Sequence, residues 1–447
     1  MHNKSVNLRI ELFYWLGAAI VGIIAVAFAE AADLATRFRI FVTHNHPWTM
    51  LFIAPAGITF SLWVTRTWFR GAQGSGIPQA IACLHLYDME TVDHILSLRI
   101  SIAKICLTCF GLFVGASIGR EGPTVQIGAS IMHTVGRFAK ITNVSYKHAL
   151  IKAGAAAGVA AAFNTPLAGI VFGIEELSRS FKQYTSGVML TCVIISGITA
   201  ISLVGNYTYF GHVHSINLPT IGWIAVPVCG ILGGLAGGTF SLLLIRISRG
   251  LPGKIGTFIT HYPLYFSALC GLILSIIGLL SNGAVYGTGY SQARDIIMES
   301  SGYQSYFFIL KLIATLVSYC SGIPGGLFSP SLSIGAGMGE WLKHLLPHTP
   351  PEAVVLLATV AYFSAVTQSP LTATIIVMEM CDNQEITLAI MASAFLAFGV
   401  SRLLCSHTLY SALALIFLRT VDIRKPLTPP SFPTTITHTT SPLPSHH

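Results

Sequence analysis

The chain has 447 residues, of which 9% are Asp, Glu, Lys or Arg and 53% are hydrophobic, with a mean hydropathy of +0.69. A soluble domain carries about 25% charged residues, so this composition excludes a soluble globular protein and points to one that crosses the lipid bilayer many times. The net charge of +8 sits in basic residues that flank apolar runs, without the aromatic interleaving of a nucleic-acid binder, and it biases both termini towards the cytoplasm.

Residues 1–11, with Lys4 and Arg9, read as a cytoplasmic N-terminal segment. The run 13–34 imitates a signal peptide, with Ala27-Phe28-Ala29 where a cleavage site would lie. An uncleaved first helix is the reading adopted, because every later segment also requires membrane insertion. Further apolar runs cover 50–64, 101–118, 149–177, 187–204, 221–245, 263–282, 307–320, 353–379 and 386–402. A crossing helix needs about 20 apolar residues. Several runs are shorter, or are cut by some of the 42 Gly and 21 Pro, so some helices are expected to stop partway and to pack closely. Cys106 and Cys109 form a CxxC within 101–118; no second pair accompanies them, and they read as small core residues rather than a metal or redox site. The tail 421–447, rich in Pro, Thr and Ser, reads as disordered and cytoplasmic.

Two pairs of segments repeat. GREGPTVQIGAS (119–130) matches GGLFSPSLSIGAG (325–337), placing Pro123 over Pro330 at an offset of 207. FNTPLAGIVFGIEEL (163–177) matches VTQSPLTATIIVMEM (366–380), placing Pro166 over Pro370 and Glu175 over Glu379 at an offset of 204. The chain therefore reads as two homologous halves, 12–205 and 221–420, joined by a linker at 206–220. Duplicated halves with broken helices are typical of transporters, whose substrate sites form near the bilayer midplane.

Three Gly/Pro-rich breaks stand out: GSGIPQ (74–79), GREGP (119–123) and SGIPGGLFSP (321–330). Each leads into a helical run. A helix N-terminus exposes unpaired N–H groups and partial positive charge, so it attracts anions, and glycine allows a ligand to approach the backbone. Converging N-termini have the wrong sign for a cation. No HExxH, strand-borne nucleotide loop or nucleophile–base signature is present, so the chain does not read as an enzyme and requires no cofactor or metal.

With TLYSALA (408–414), these breaks closely resemble the CLC family of chloride channels and chloride/proton antiporters, over residues from about 12 to 420. The resemblance implies an all-α integral membrane fold of two inverted repeats with tilted and broken helices, assembled as a homodimer in the inner membrane. It implies that Ser75, Tyr410 and the backbone of Leu327 and Phe328 bind chloride, and that Glu121 is the gating glutamate. The selectivity glycines and prolines would be Gly74, Gly76, Pro78, Gly119, Gly122, Pro123, Gly325, Gly326 and Pro330. Read without the family, Ser75 could cap a helix, while Tyr410 and Phe328 could pack in the core. Arg120 is expected at the pore entrance, where it would concentrate anions. An Arg120–Glu121 ion pair is disfavoured because adjacent helical residues do not face each other.

Glu176 matches the glutamate that relays cytoplasmic protons in antiporters, and many channels lack an acid there. Its presence favours exchange of chloride for protons over a passive chloride channel, which remains the alternative. Glu175, which recurs as Glu379, is expected to be structural. Gln79 stands where the family often has an acid, with packing or local charge as the expected consequence. Serine at 75 favours chloride over nitrate, and fluoride exporters alter these motifs more heavily. No nucleotide-sensing domains are expected after residue 425, as in plain prokaryotic members.

Overall fold

The computed structural model describes residues 2–178, 183–205, 210–211, 218–298, 303–381 and 385–421. Most of the expected linker at 206–220 and nearly all of the expected tail lie outside the described residues. The first half holds α1 (His2–Thr43), α2 (Met50–Trp68), α3 (Ile77–His85), α4 (Met89–Ile95), α5 (Leu98–Phe113), α6 (Glu121–Phe138), α7 (Val144–Phe163), α8 (Pro166–Phe172) and α9 (Gln183–Val204). The second holds α10 (Ala225–Arg249), α11 (Gly253–His261), α12 (Pro263–Leu280), α13 (Tyr290–Ile297), α14 (Phe307–Cys320), α15 (Phe328–Leu342), α16 (Pro351–Thr367), α17 (Pro370–Cys381), α18 (Thr387–Leu404) and α19 (Leu409–Val421). The described residues contain seven helices long and apolar enough to cross a membrane, and several shorter apolar ones.

The apolar run 149–177 is not one helix. Asn143 opens α7 by accepting hydrogen bonds from the Ser145 and Tyr146 N–H groups. After twenty helical residues Asn164 takes a left-handed conformation (φ 58°) and ends the helix. Pro166, which lacks an N–H, then opens α8. The run 353–379 breaks in the same way, with Gln368 left-handed (φ 56°) and Pro370 opening α17. The two stops, at Asn164 and Gln368, lie 204 residues apart, the offset at which the sequence segments around them match. Close packing within each half follows from glycine: a side chain at Gly128 of α6 would strike the Gly154 carbonyl of α7, and one at Gly335 of α15 would crowd Thr359 of α16. Cys106 corrects one sequence expectation. It lies on the exposed face of α5, and Cys109 is only half-buried.

The halves are pinned by a reciprocal exchange of caps. Glu175, in the π-helical turn Gly173–Ser178, accepts from the Leu371 and Thr372 N–H groups (3.2 and 2.7 Å) and from the Thr372 hydroxyl, at the start of α17. Glu379, on α17, accepts from the Leu167 and Ala168 N–H groups (3.2 and 2.7 Å) at the start of α8. Each carboxylate satisfies orphan donors of the other half, where the helix dipole favours negative charge. Hydrogen bonds to charged groups contribute about 1.5–3 kcal/mol. Glu379→Leu and Glu175→Leu should each lower the thermal unfolding midpoint of the purified protein. Unchanged midpoints in both would show that the caps are idle.

Candidate anion site between three helix N-termini

The three sequence breaks form one hydrogen-bonded unit. The Gly119 N–H donates to the Gly326 carbonyl (2.8 Å) and the Gly326 N–H returns to the Gly119 carbonyl (2.7 Å), an isolated antiparallel bridge between the two halves. The Gly74 N–H donates to Ile323 (3.2 Å) and the Gly325 N–H to Gly74 (3.0 Å). From this knot α3, α6 and α15 depart, beginning at Ile77, Glu121 and Phe328. Pro78, Pro123 and Pro330 all fall in first turns, where a missing N–H removes no helical bond. Gly76 needs its freedom twice: its φ is 102°, and a side chain there would strike the Gly122 carbonyl.

At this knot two hydroxyls stand out. Ser75 and Tyr410 are fully buried, and neither side-chain oxygen has a hydrogen-bond partner among the described residues. Ser75 does not cap α3; Gly76 occupies the cap position and makes no side-chain bond. Its oxygen lies directly against Gly122, where any side chain would collide with it. A buried hydroxyl without a partner costs about 1–3 kcal/mol. Tyr410, on α19, is held by Phe328, whose ring also meets Phe163, Phe172 and Phe363, at centroid distances of 5.1 to 6.0 Å. Leu327 and Phe328 are each 1% exposed, so the N-terminus of α15 is shielded from solvent.

Glu121 is fully buried as the first residue of α6. Its Oε1 accepts a 2.5 Å hydrogen bond from the Ser329 hydroxyl in the first turn of α15, and its Oε2 lies against Gly119. The carboxylate thus rests where two helix N-termini meet. Arg120 departs from expectation. It is 6% exposed, donates to the Ala29 carbonyl (2.8 Å) and pairs with Asp33 (3.0 Å), both on α1. Its charge ties the first helix to the knot instead of facing an open entrance. Its Nε also reaches 4.0 Å from Glu121 Oε1, so the disfavoured neighbour contact does occur, at the limit of an ion pair; it arises because Arg120 precedes the helix rather than lying on it.

Glu176 is 4% exposed and accepts from Ser369 (2.6 Å), the residue before α17. It lies apart from the knot, and Tyr410 connects the two regions, standing within electrostatic reach of both Glu121 and Glu176. The neighbouring acids of the GIEEL segment thus divide their tasks, Glu175 capping a helix while Glu176 turns inward. Gln79 donates to the Gln73 carbonyl (2.6 Å) and so braces the first break.

Three residues were missed in the sequence. Ser329, beside the motif phenylalanine, holds Glu121; a hydroxyl in the first turn of a helix was the available signal. Tyr319 precedes the third break, and its hydroxyl meets the Ser75 backbone. Lys104 is fully buried behind the first break and donates to Gln126 (2.7 Å), which in turn donates to the Gly71 and Ile95 carbonyls. A lysine inside an apolar helix was the available signal.

Comparison with known proteins agrees with this geometry. The family model described as voltage gated chloride channel matches residues 57–402. The H(+)/Cl(-) exchange transporter ClcA of Salmonella paratyphi A is 29% identical over 432 residues, covering 92% of this chain and 89% of its own, and that of Salmonella typhimurium is similar to the same extent. A slow cyanobacterial Cl-/H+ antiporter superposes with a TM-score of 0.76 at 24% identity, covering 93% of this chain and 99% of its own. A CLC-type fluoride/proton antiporter superposes at 0.77 with 22% identity, covering 91% and 97%. These structures share the all-helical fold. With the family model spanning most of its length and the three breaks joined at one point, the chain belongs to the CLC family of voltage gated chloride channels.

Proposed function

We propose that this multi-pass membrane protein exchanges chloride for protons. The observation that carries the reading is the pair of buried, unpartnered hydroxyls of Ser75 and Tyr410 at a knot of helix N-termini whose nearest carboxylate is Glu121. Hydroxyl and N–H donors, with the nearby Arg120 charge paired to Asp33, replace the hydration of a small anion while leaving it free to depart. The ClcA relatives are named for this exchange, and Glu176 is present where a proton relay requires an acid. Serine at 75 fits chloride as the anion.

The Glu121 carboxylate is itself an anion, so it competes with chloride for the helix ends. Ionised, it is held by Ser329 and by the positive ends of α6 and α15. Protonated, it carries no charge, the dipoles no longer favour it, and chloride takes the place. One side chain thereby couples occupancy by chloride to uptake of a proton. Glu176 supplies protons from the cytoplasmic side, with Tyr410 between the two acids. Transport involves no covalent step and no cofactor. In this reading the protein is a homodimer in the inner membrane, its termini are cytoplasmic, and each subunit has its own pathway.

Reconstituted Glu121→Gln should carry chloride without moving protons; proton pumping by that variant would sink the mechanism. Glu176→Gln should move fewer protons per chloride, and unchanged coupling would leave Glu176 a structural role. Tyr410→Phe and Ser75→Ala should each weaken chloride binding about tenfold to a hundredfold, the worth of one hydrogen bond to a charged group. Calorimetric titration with chloride checks this, and wild-type affinity in both variants would remove these hydroxyls from the site.

A further inference from the structure

A cavity lined by a single buried guanidinium lies at the membrane face opposite the N-terminus. It has a volume of about 540 Å³ and forms where the ends of α1 and α12 meet the loop 281–289. Arg39, one turn before the end of α1, lines it with Tyr286, Asn282, Gln292 and Thr43. Arg39 is 7% exposed, yet its Nε has no hydrogen-bond partner among the described residues, and its guanidinium stands over the Tyr286 ring, 5.1 Å from the centroid. No acid lines the cavity among the described residues. On the far side of the loop a second buried cation, Lys311, takes the Val285 and Gly287 carbonyls (both 2.8 Å), so these are not left for Arg39.

A buried charge is normally paired and hydrogen-bonded. Here the C-terminal ends of α1 and α12 supply partial negative charge, each roughly half an electron. This sustains a cation but does not fill the guanidinium fork. That fork matches the oxygens of phosphate in a bidentate way, and Asn282 and Gln292 add amide donors at the rim. The cavity is much larger than a single ion requires, since a water occupies about 30 Å³ of liquid. Its surroundings are those of a membrane edge: Ile40, Phe41, Trp48 and Phe52 are exposed beside it, the aromatic and aliphatic belt that marks a bilayer boundary.

We propose that this cavity binds a phosphate group, anchored by Arg39, carried either on an anionic lipid head group or as the free ion. It lies apart from Ser75, Tyr410 and Glu121, and the proposal does not depend on the transport reading. The test uses the full purified chain, titrated below micellar concentration with dihexanoyl-phosphatidylglycerol, and separately with inorganic phosphate and with dihexanoylglycerol, which lacks the phosphate. The expected result is saturable binding of the phosphorylated lipid, none of dihexanoylglycerol, at least tenfold weaker binding in Arg39→Gln, and an intermediate loss in Arg39→Lys, which keeps the charge but not the fork. Competition by inorganic phosphate at similar affinity would assign the site to the free ion, and its failure to compete would assign it to the lipid. Equal affinity in wild type and Arg39→Gln would overturn the proposal. The wild-type titration decides alone if the variants do not fold: no saturable binding of either phosphate probe overturns it.

Discussion

The site depends on backbone hydrogen bonds between segments far apart in the chain. Gly119 and Gly326 exchange two of them, and Gly74 joins through Ile323 and Gly325. These bonds hold three helix starts together inside an apolar protein, where water cannot neutralise their partial positive charge. Everything chemical follows from that placement. Glycine is needed because backbones and the Ser75 hydroxyl approach within contact, proline is tolerated because first turns have no N–H to lose, and a carboxylate is stable there because it alone brings the opposite charge.

Duplication supplies the means of building such a knot. The breaks before α6 and α15 satisfy each other's glycine N–H and carbonyl groups, Gly119 with Gly326. The same logic recurs away from the site, where Glu175 and Glu379 cap one another's half. The two breaks differ at their first helical residue. Glu121, at the head of α6, has Phe328 as its counterpart at the head of α15, so one half brings the acid and the other the aromatic wall and the Ser329 hydroxyl that receives it.

Much of this was legible in the sequence because the breaks are written in residues with special backbone chemistry. Gly/Pro clusters in apolar surroundings locate α3, α6 and α15, and the repeat of Pro166 and Pro370 locates the stops after Asn164 and Gln368. The CLC resemblance named Ser75, Tyr410 and Glu121, and the structure adds that both hydroxyls lack partners among the described residues. What was not legible depends on contacts across the chain. The partner of Arg120 is Asp33, on α1 with four helices of chain between them, and no local pattern announces it. Ser329 reads as an ordinary first-turn serine until its bond to Glu121 is seen, and the exposed position of Cys106 depends on which face of α5 meets lipid.

The central claim is that chloride and the Glu121 carboxylate compete for the same helix ends, so that chloride flow must move protons. The most direct measurement uses liposomes containing the purified chain, loaded with chloride, with the membrane voltage clamped by potassium and valinomycin, while external pH is followed. Chloride leaving the vesicles should draw protons inward, against a proton gradient set to oppose them. Chloride efflux with no proton movement would contradict the account and leave a passive channel on the same fold.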